Sequence, residues 1–203
     1  MKKYRDFYFQ KAKSENYPAR SVYKLKELDT KFHLLKKGMR ALDLGASPGS
    51  WSLACAEKAG PDGLVLACDL KSLASGLPSQ IIFMQEDVFA PSPEFRAALK
   101  KHGPFDLVLS DMAPATTGSK FTDQARSFNL ASEAFRAACA HLRPGGNFVV
   151  KIFMGPDAQE LFSQIGAAFD KAKTFKPKSS RAESRETFFI GLGFNEKFTA
   201  EPA

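Results

Sequence analysis

Hydrophobic residues along the chain follow two spacings. Short continuous apolar runs predict buried strands, because a strand covered on both faces shows no polar alternation. Such strands are predicted at residues 39–44, 64–69, 81–84, 105–109, 147–153 and 187–192. Apolar residues three to four positions apart predict amphipathic helices. These helices are predicted at residues 19–35, 51–58, 94–102, 122–141 and 157–170.

Helices separate the first five predicted strands from one another, except the second from the third. This alternation implies right-handed crossovers and an α/β fold with a doubly wound parallel sheet. The sequence contains no internal repeat, low-complexity segment or linker. We therefore expect one domain over residues 1–203, in which residues 1–20 form a basic, aromatic N-terminal arm.

The first strand runs into a glycine-containing turn, DLGASPGSW at residues 43–51, where a helix begins. In α/β folds such a turn forms a nucleotide pocket, and glycine lets a ligand approach the backbone closely. The spacing of Gly45 and Gly49 differs from the G-x-G-x-x-G that cradles a pyrophosphate. A nucleoside with an amino-acid tail therefore fits better than a dinucleotide. An ordinary strand-to-helix turn is the alternative that this stretch leaves open.

Acidic residues follow the next three strands. Asp69 lies roughly 20 residues past the glycine turn, where a carboxylate accepts hydrogen bonds from a ribose diol. A helix N-cap is the alternative role for Asp69. Asp87 is either a loop cap or a contact for an adenine amino group. Asp111 ends the fourth strand, at the edge where open α/β sheets bind their ligands.

The fifth strand carries Lys151 in an otherwise apolar run. A buried lysine is costly unless it is paired or functional. The alternative is a lysine on an edge strand whose ammonium reaches solvent. The three histidines are isolated and lack metal-ligand spacing, so we expect no metal site.

Composition favours a polyanionic partner. Hydrophobic residues make up 44% and charged residues 25%, as in soluble globular proteins. The net charge of +7 indicates a nucleic acid or an anionic membrane surface. Residues 2–20 interleave cations with aromatic side chains, which suits a phosphate backbone with unstacked bases. Aromatic side chains docked on the domain are the alternative. Residues 171–185 form a second basic stretch.

Cysteine usage and hydropathy indicate the cellular compartment in which the protein is expected, the cytoplasm. Cys55, Cys68 and Cys139 are far apart and odd in number, which argues against disulfides or zinc and for a reducing environment. There is no apolar leader segment and no apolar run near the roughly 18 residues that span a bilayer. We therefore expect a cytoplasmic protein without a membrane partner.

Several motifs, spread over residues 4–193, resemble one family in their order and spacing. The motifs are AKSENYPARSVYKLKELD, LDLGASPGSW, LACDL, LSDMAP, the spaced Asp123 and Arg126, LRPGGNFVVKIFMG and KPKSSRAESRE. The chain resembles the FtsJ-type ribosomal RNA 2′-O-ribose methyltransferases, and more broadly the Rossmann-like methyltransferases that use S-adenosylmethionine. The resemblance implies a mostly parallel seven-stranded sheet with helices on both faces. It also implies methyl transfer to a ribose 2′-hydroxyl, taken as that of a uridine in large-subunit ribosomal RNA.

The resemblance also implies the site residues. The family's catalytic Lys-Asp-Lys-Glu quartet falls on Lys24, Asp111, Lys151 and Glu186. The S-adenosylmethionine site falls on Gly45, Gly49, Trp51, Asp69, Asp87 and Asp111. No metal is required.

The sequence departs from the family pattern at two places. Ser50 follows Gly49 where the family has a glycine pair, and Val22 precedes Tyr23 where it has an aromatic pair. Neither departure removes a catalytic group. We expect Ser50 to narrow the cofactor loop slightly and Val22 to alter contacts near the target nucleotide.

The 2′-hydroxyl is a weak acid, so its attack requires alignment and a base. Lys151 is the candidate base, and this role requires a lowered pKa, which burial and the nearby Lys24 both favour. Asp111 opposes that shift but orients the ammonium, while Glu186 balances Lys24. Coupled groups titrate as a set, so the quartet member that takes the proton is left open.

RNA is the expected partner, since a 2′-hydroxyl distinguishes RNA from DNA. The two basic stretches are expected to hold phosphates without reading sequence, and the protein is expected to be a monomer. One alternative is a 2′-O-methyltransferase that acts on transfer RNA or a messenger cap. Another is a nucleotide-dependent oxidoreductase, which the incomplete glycine fingerprint disfavours. A third is a non-catalytic RNA-binding module, which the intact quartet disfavours.

Overall fold

The computed structural model describes residues 7–181 and 184–196. The helices are α1 (Phe7–Ser14), α2 (Val22–Phe32), α3 (Ser50–Ala59), α4 (Pro93–His102), α5 (Lys120–His141) and α6 (Ala158–Ala168). The strands are β1 (Arg40–Leu44), β2 (Leu64–Asp69), β3 (Ile81–Gln85), β4 (Phe105–Ser110), β5 (Leu142–Phe153), β6 (Phe169–Phe175) and β7 (Glu186–Phe194). None of these helices is long and apolar enough to cross a membrane.

The seven strands form one sheet in the order β3-β2-β1-β4-β5-β7-β6. Strands β1 to β5 pair in parallel, whereas β7 runs antiparallel to both β5 and β6. The mostly parallel seven-stranded sheet is therefore confirmed. The chain leaves β1 toward one edge and returns at β4 on its other side. Ligands of open α/β sheets bind at such a switch point.

Helices cover both faces of the sheet, which explains why its central strands read as continuous apolar runs. One core cluster joins the sheet to α4, α5 and α6, and the other joins it to α1, α2 and α3. Asp43, in the central strand β1, is a buried polar residue, at 1% exposure. The Ser52 hydroxyl donates to its Oδ2 at 2.6 Å, and burial raises the pKa of Asp43 to about 7.

The prediction of a helix over residues 157–170, followed by a basic stretch without a strand, is wrong at the C-terminal end of that helix. The helix ends at Ala168, and the next seven residues form an edge strand. Phe169 is buried, whereas Lys171 and Lys173 are exposed. Charged residues are typical of edge strands, where they oppose pairing with other chains. They also hide the apolar signal by which a strand is predicted.

The N-terminal arm is partly helical. Helix α1 packs on α2, with the ring centroids of Tyr8 and Tyr23 5.3 Å apart. Tyr8 and Tyr17 dock on the domain, as the alternative interpretation of the arm predicted. Phe7 and Phe9 are exposed. Lys2, Lys3, Tyr4 and Arg5 of the arm lie outside the described residues.

Candidate active site

A cavity of about 590 Å³ opens at the carboxyl ends of β1, β2 and β4. Its lining includes the glycine turn, four acidic residues at or just after the ends of β2, β3 and β4, among them Glu86, and an apolar wall. These residues include Gly45, Ser47, Pro48, Asp69, Asp87, Val88, Phe89, Asp111 and Met112. The cavity thus lies at the switch point of the sheet.

Two glycines fix the shape of the turn after β1. Gly45 has a φ of 78°, and a Cβ there would overlap Met112. Gly49, the N-cap of α3, has a φ of 111°, and a Cβ there would come within 2.9 Å of Leu77. Both positions need glycine, since other residues rarely adopt positive φ. Of the two, Gly45 lines the cavity and Gly49 does not.

Asp69 fastens the end of β2 to the glycine turn. Its Oδ2 accepts a hydrogen bond from the Ser47 N–H at 2.9 Å, and its Oδ1 accepts one from the Lys71 N–H at 2.8 Å. Residues 70–80, all in the described part of the chain, form no helix. The helix N-cap alternative for Asp69 is therefore wrong.

Asp87 fulfils the loop-cap interpretation while still lining the cavity. Its Oδ1 accepts a hydrogen bond from the Phe89 N–H at 2.9 Å. Its carboxylate remains part of the cavity wall. The two roles considered for Asp87 are thus geometrically compatible.

The four predicted quartet residues come together at the edge of this cavity. Lys151 Nζ lies 2.8 Å from Asp111 Oδ1 and also donates to the Asp111 carbonyl. Lys24 Nζ lies 2.7 Å from the Glu186 carboxylate and 4.0 Å from Asp111 Oδ1. Because Asp111 also lines the cavity, the two ion pairs adjoin it. The catalytic roles of the four residues stay predictions.

Burial makes these ion pairs electrostatically significant. The Lys151 side chain is 6% exposed, and β5 lies between β4 and β7. The alternative of a solvent-reaching lysine on an edge strand is therefore wrong. Burial by itself favours the neutral form of Glu186, but the Lys24 ammonium and its hydrogen bond hold the Glu186 pKa below its ordinary value.

The indole of Trp51 lies outside the cavity lining. It is 3% exposed, and its Nε1 donates to the Ser21 carbonyl at 2.9 Å. Four of the six predicted cofactor residues line the cavity: Gly45, Asp69, Asp87 and Asp111. Gly49 and Trp51 do not. The assignment of all six to a cofactor stays a prediction.

Sequence reasoning missed the apolar wall of the cavity. Val88 and Phe89 follow Asp87, and Met112 follows Asp111. No spacing rule distinguishes these side chains from other apolar residues in loops. Their position next to a predicted acidic residue was the only available signal.

Two smaller basic cavities lie beside Glu186. One, of about 360 Å³, is lined by Arg20, Ser21, Lys24, Arg181, Ser184 and Glu186. The other, of about 290 Å³, is lined by Thr116, Lys120, Asp123, Gln124, Phe153, Ser184 and Arg185. Ser184 lines both cavities. Residues from both basic stretches therefore reach the quartet.

The described residues of this region form no evident metal centre. Within residues 7–181 and 184–196, no three side chains of His, Cys, Asp or Glu are grouped so that they could hold a metal ion. The acidic residues of the site face cations or backbone N–H groups instead. Lys24 and Lys151 are the cations, and the N–H donors come from Ser47, Lys71 and Phe89.

Comparison with known proteins shows relatives in both sequence and structure. The family described as FtsJ-like methyltransferase matches residues 17–194. A ribosomal RNA large subunit methyltransferase E from Oleidesulfovibrio alaskensis is 64% identical over 194 residues, covering 96% of this chain and 94% of the relative. The protein of the same name from Nitratidesulfovibrio vulgaris is 60% identical, covering 96% of each chain. A crystal structure described as a ribosomal RNA methyltransferase from Plasmodium falciparum has a TM-score of 0.77 at 27% identity, covering 88% of this chain and 98% of the other.

Proposed function

The chain belongs to the FtsJ-like methyltransferase family, and on that premise we propose that it methylates a ribose 2′-hydroxyl of RNA with S-adenosylmethionine as donor. The proposed substrate is large-subunit ribosomal RNA, because the relatives described above are named for that RNA. That the target nucleotide is a uridine is proposed from the family resemblance alone. One observation supports the chemistry most. Asp111 belongs both to the cavity wall and to the quartet of charged residues.

The residues of the 590 Å³ cavity fit S-adenosylmethionine. The carboxylates in its wall suit a cation that also presents hydroxyl and amino donors. Asp69 would accept from the ribose diol, Asp87 would lie on the adenine side, and Asp111 would lie beside the methyl group. Gly45 would let the backbone approach the ligand. When bound, the cofactor supplies an electrophilic methyl group on a sulfonium sulfur.

Lys151 Nζ is the proposed acceptor of the 2′-hydroxyl proton. Asp111 fixes this nitrogen through its side chain at 2.8 Å and through its carbonyl oxygen. Lys24 brings a second cation near the pair, and Glu186 balances that charge. Orientation can lower the barrier by about 7–11 kcal/mol in favourable cases, and a positioned base adds about 10²–10⁴-fold.

RNA would lie across the two basic cavities. Arg20 and Arg181 line the cavity that includes Glu186, and Lys120 and Arg185 line the other cavity. Phosphates held there would centre one ribose on the quartet without any reading of sequence. We propose a monomer acting in the cytoplasm. The three cysteines, all in the described chain, are free, as a reducing compartment requires.

The alternatives fare differently. The match to a methyltransferase family leaves the oxidoreductase alternative without support. The two buried ion pairs likewise disfavour a non-catalytic RNA-binding module. A transfer RNA substrate would use the same quartet, so only substrate tests separate it from ribosomal RNA.

Transfer of labelled methyl groups to ribosomal subunits, free ribosomal RNA and transfer RNA tests the proposal. We expect label in large-subunit RNA with the wild-type protein. Lys151→Ala is expected to abolish turnover while the cofactor still binds. Lys100→Ala, an exposed change on α4, is the control and should leave turnover unchanged. Label in transfer RNA alone would refute large-subunit ribosomal RNA as the substrate. Normal turnover by Lys151→Ala would refute Lys151 as the base.

A further inference from the structure

Trp51 contacts the segment that carries Lys24. Its indole Nε1 donates to the Ser21 carbonyl at 2.9 Å. The same carbonyl oxygen accepts the backbone N–H of Lys24 at 3.0 Å. One oxygen atom therefore joins the indole to the backbone of a quartet lysine.

The beginning of α2 depends on this neighbour. Within the described chain, the Ser21 side chain makes no capping hydrogen bond to α2. The first turn of α3 provides the anchors instead, through Trp51 and through Ser50, whose Oγ accepts from the Ala19 N–H at 2.6 Å. Residues 19–21 are thus held by the same helix start that follows the glycine turn of the cofactor cavity.

A second contact reaches the lysine's other end. The Trp51 ring packs 5.8 Å from the ring centroid of Phe188, and Lys24 Nζ lies 5.9 Å from the same centroid. Phe188 is fully buried and is the strand partner of Lys151. The indole therefore contacts both the backbone anchor of Lys24 and the aromatic surface under its ammonium.

We propose that the side chain of Trp51 is a positioning residue for Lys24, linking the glycine turn of the cofactor cavity to the quartet. The inference rests on the proposed function, because it assigns the residue to the geometry of methyl transfer. Without the indole N–H, the start of α2 would shift. Lys24 would then leave Glu186, at 2.7 Å, and Asp111, at 4.0 Å.

The composition of the chain allows a sharp test. Trp51 is the only tryptophan among the 203 residues, so feeding benzothienylalanine in place of tryptophan changes this position alone. The analogue keeps the shape of the ring and lacks the N–H donor. We expect kcat to fall about 10- to 100-fold, as small displacements of a catalytic group produce. The dissociation constant of S-adenosylmethionine should be unchanged.

A second readout does not depend on turnover. The Lys24 ammonium holds the Glu186 pKa below its ordinary value, so displacement of Lys24 should raise that pKa. Carboxyl NMR titration of Glu186 measures it directly.

Tyr17→Phe is the matched control. Tyr17 hydrogen-bonds through its hydroxyl to Glu57 of α3, so it ties the same connecting segment to the same helix without touching the Ser21 carbonyl. The kcat of the Tyr17→Phe variant and the pKa of its Glu186 should match those of the wild type. Trp51→Phe, which keeps an aromatic ring against Phe188, should behave like the analogue.

Two results would overturn the inference. One is an unchanged kcat and an unchanged Glu186 pKa in the benzothienyl protein. The other is weakened cofactor binding with kcat retained, which would assign the indole to the cofactor. A wild-type protein that methylates no RNA would overturn the proposed function instead, while the NMR titration would still test the contact with Lys24.

Discussion

Replacing Glu186 with glutamine should show how strongly the quartet depends on charge balance. The substitution keeps the size of the side chain and an oxygen acceptor, but it removes the negative charge 2.7 Å from Lys24 Nζ. The lysine side chain is 13% exposed, so water compensates it poorly. Its nearest remaining carboxylate, that of Asp111, lies 4.0 Å away and is already paired with Lys151.

The expected cost follows from that burial. Removing one partner of a buried ion pair costs about 3–5 kcal/mol, because the other charge stays buried without compensation. We expect Glu186→Gln to lie at the lower end, about 3 kcal/mol, because the amide oxygen still accepts a hydrogen bond from Lys24. Without the Glu186 carboxylate, Lys24 should also move from its position in the quartet, and this displacement should lower kcat about tenfold or more.

The assay is urea unfolding across a pH series, with Glu133→Gln as the matched control. Glu133 pairs with Arg136 on the surface, where the arginine is 49% exposed, so this loss should be below about 1 kcal/mol. The Glu186 pKa lies below its ordinary value of 4.5 in the folded state. Its stabilisation is therefore present above that value and is lost as the pH falls through the folded pKa.

The gap between the wild type and Glu186→Gln should accordingly close in acid. A gap that stays constant through the acidic range would show that ionisation of Glu186 does not stabilise the fold. A loss at neutral pH no larger than that of Glu133→Gln would refute the reasoning from burial.

Three further predictions follow from other parts of the molecule. Asp43, whose folded pKa is raised to about 7, favours the fold only while protonated. As the pH rises from about 4 to about 7, Asp43→Asn should therefore gain up to about 4 kcal/mol in free energy of unfolding relative to the wild type, measured by denaturant unfolding. Gly45→Ala forces a side chain onto positive φ and into Met112, so calorimetry should show weaker binding of S-adenosylmethionine and a stability loss of about 1–3 kcal/mol. Arg181→Gln and Arg185→Gln should each reduce the salt dependence of RNA binding by about 0.7 in logarithmic slope, while binding of S-adenosylmethionine stays unchanged.

Local patterns in the sequence predicted the strands that position the site. The apolar run before Gly45 follows from burial of β1 on both faces. The lysine within the fifth strand was noticeable because a charged side chain in such a buried run is costly unless it is paired. The pattern missed β6, because Lys171 and Lys173 give an edge strand the polar character of a loop. The sheet's seventh strand was predicted only by resemblance to a family.

Contacts between distant residues were less accessible to such reasoning. Lys24 and Glu186 are 162 positions apart, so no periodicity indicates that they pair. Only the family resemblance assigned the two residues to one site. In the fold, they meet because α2 carries Lys24 to Glu186 of β7. The family resemblance also assigned Trp51 to the cofactor site. Helix periodicity does not indicate which neighbour a side chain in the first turn of a helix will contact. The hydrogen bond to Ser21 depends on how α2 and α3 pack.

Nucleoside analysis of the RNA product tests the central claim most directly. Large ribosomal subunits would be incubated with S-adenosylmethionine and either the wild-type protein or Lys151→Ala, digested to nucleosides and examined by mass spectrometry. The account predicts one new 2′-O-methyluridine with the wild type and none with the variant. A methyl group on a base, or 2′-O-methyluridine formed equally by Lys151→Ala, would contradict it.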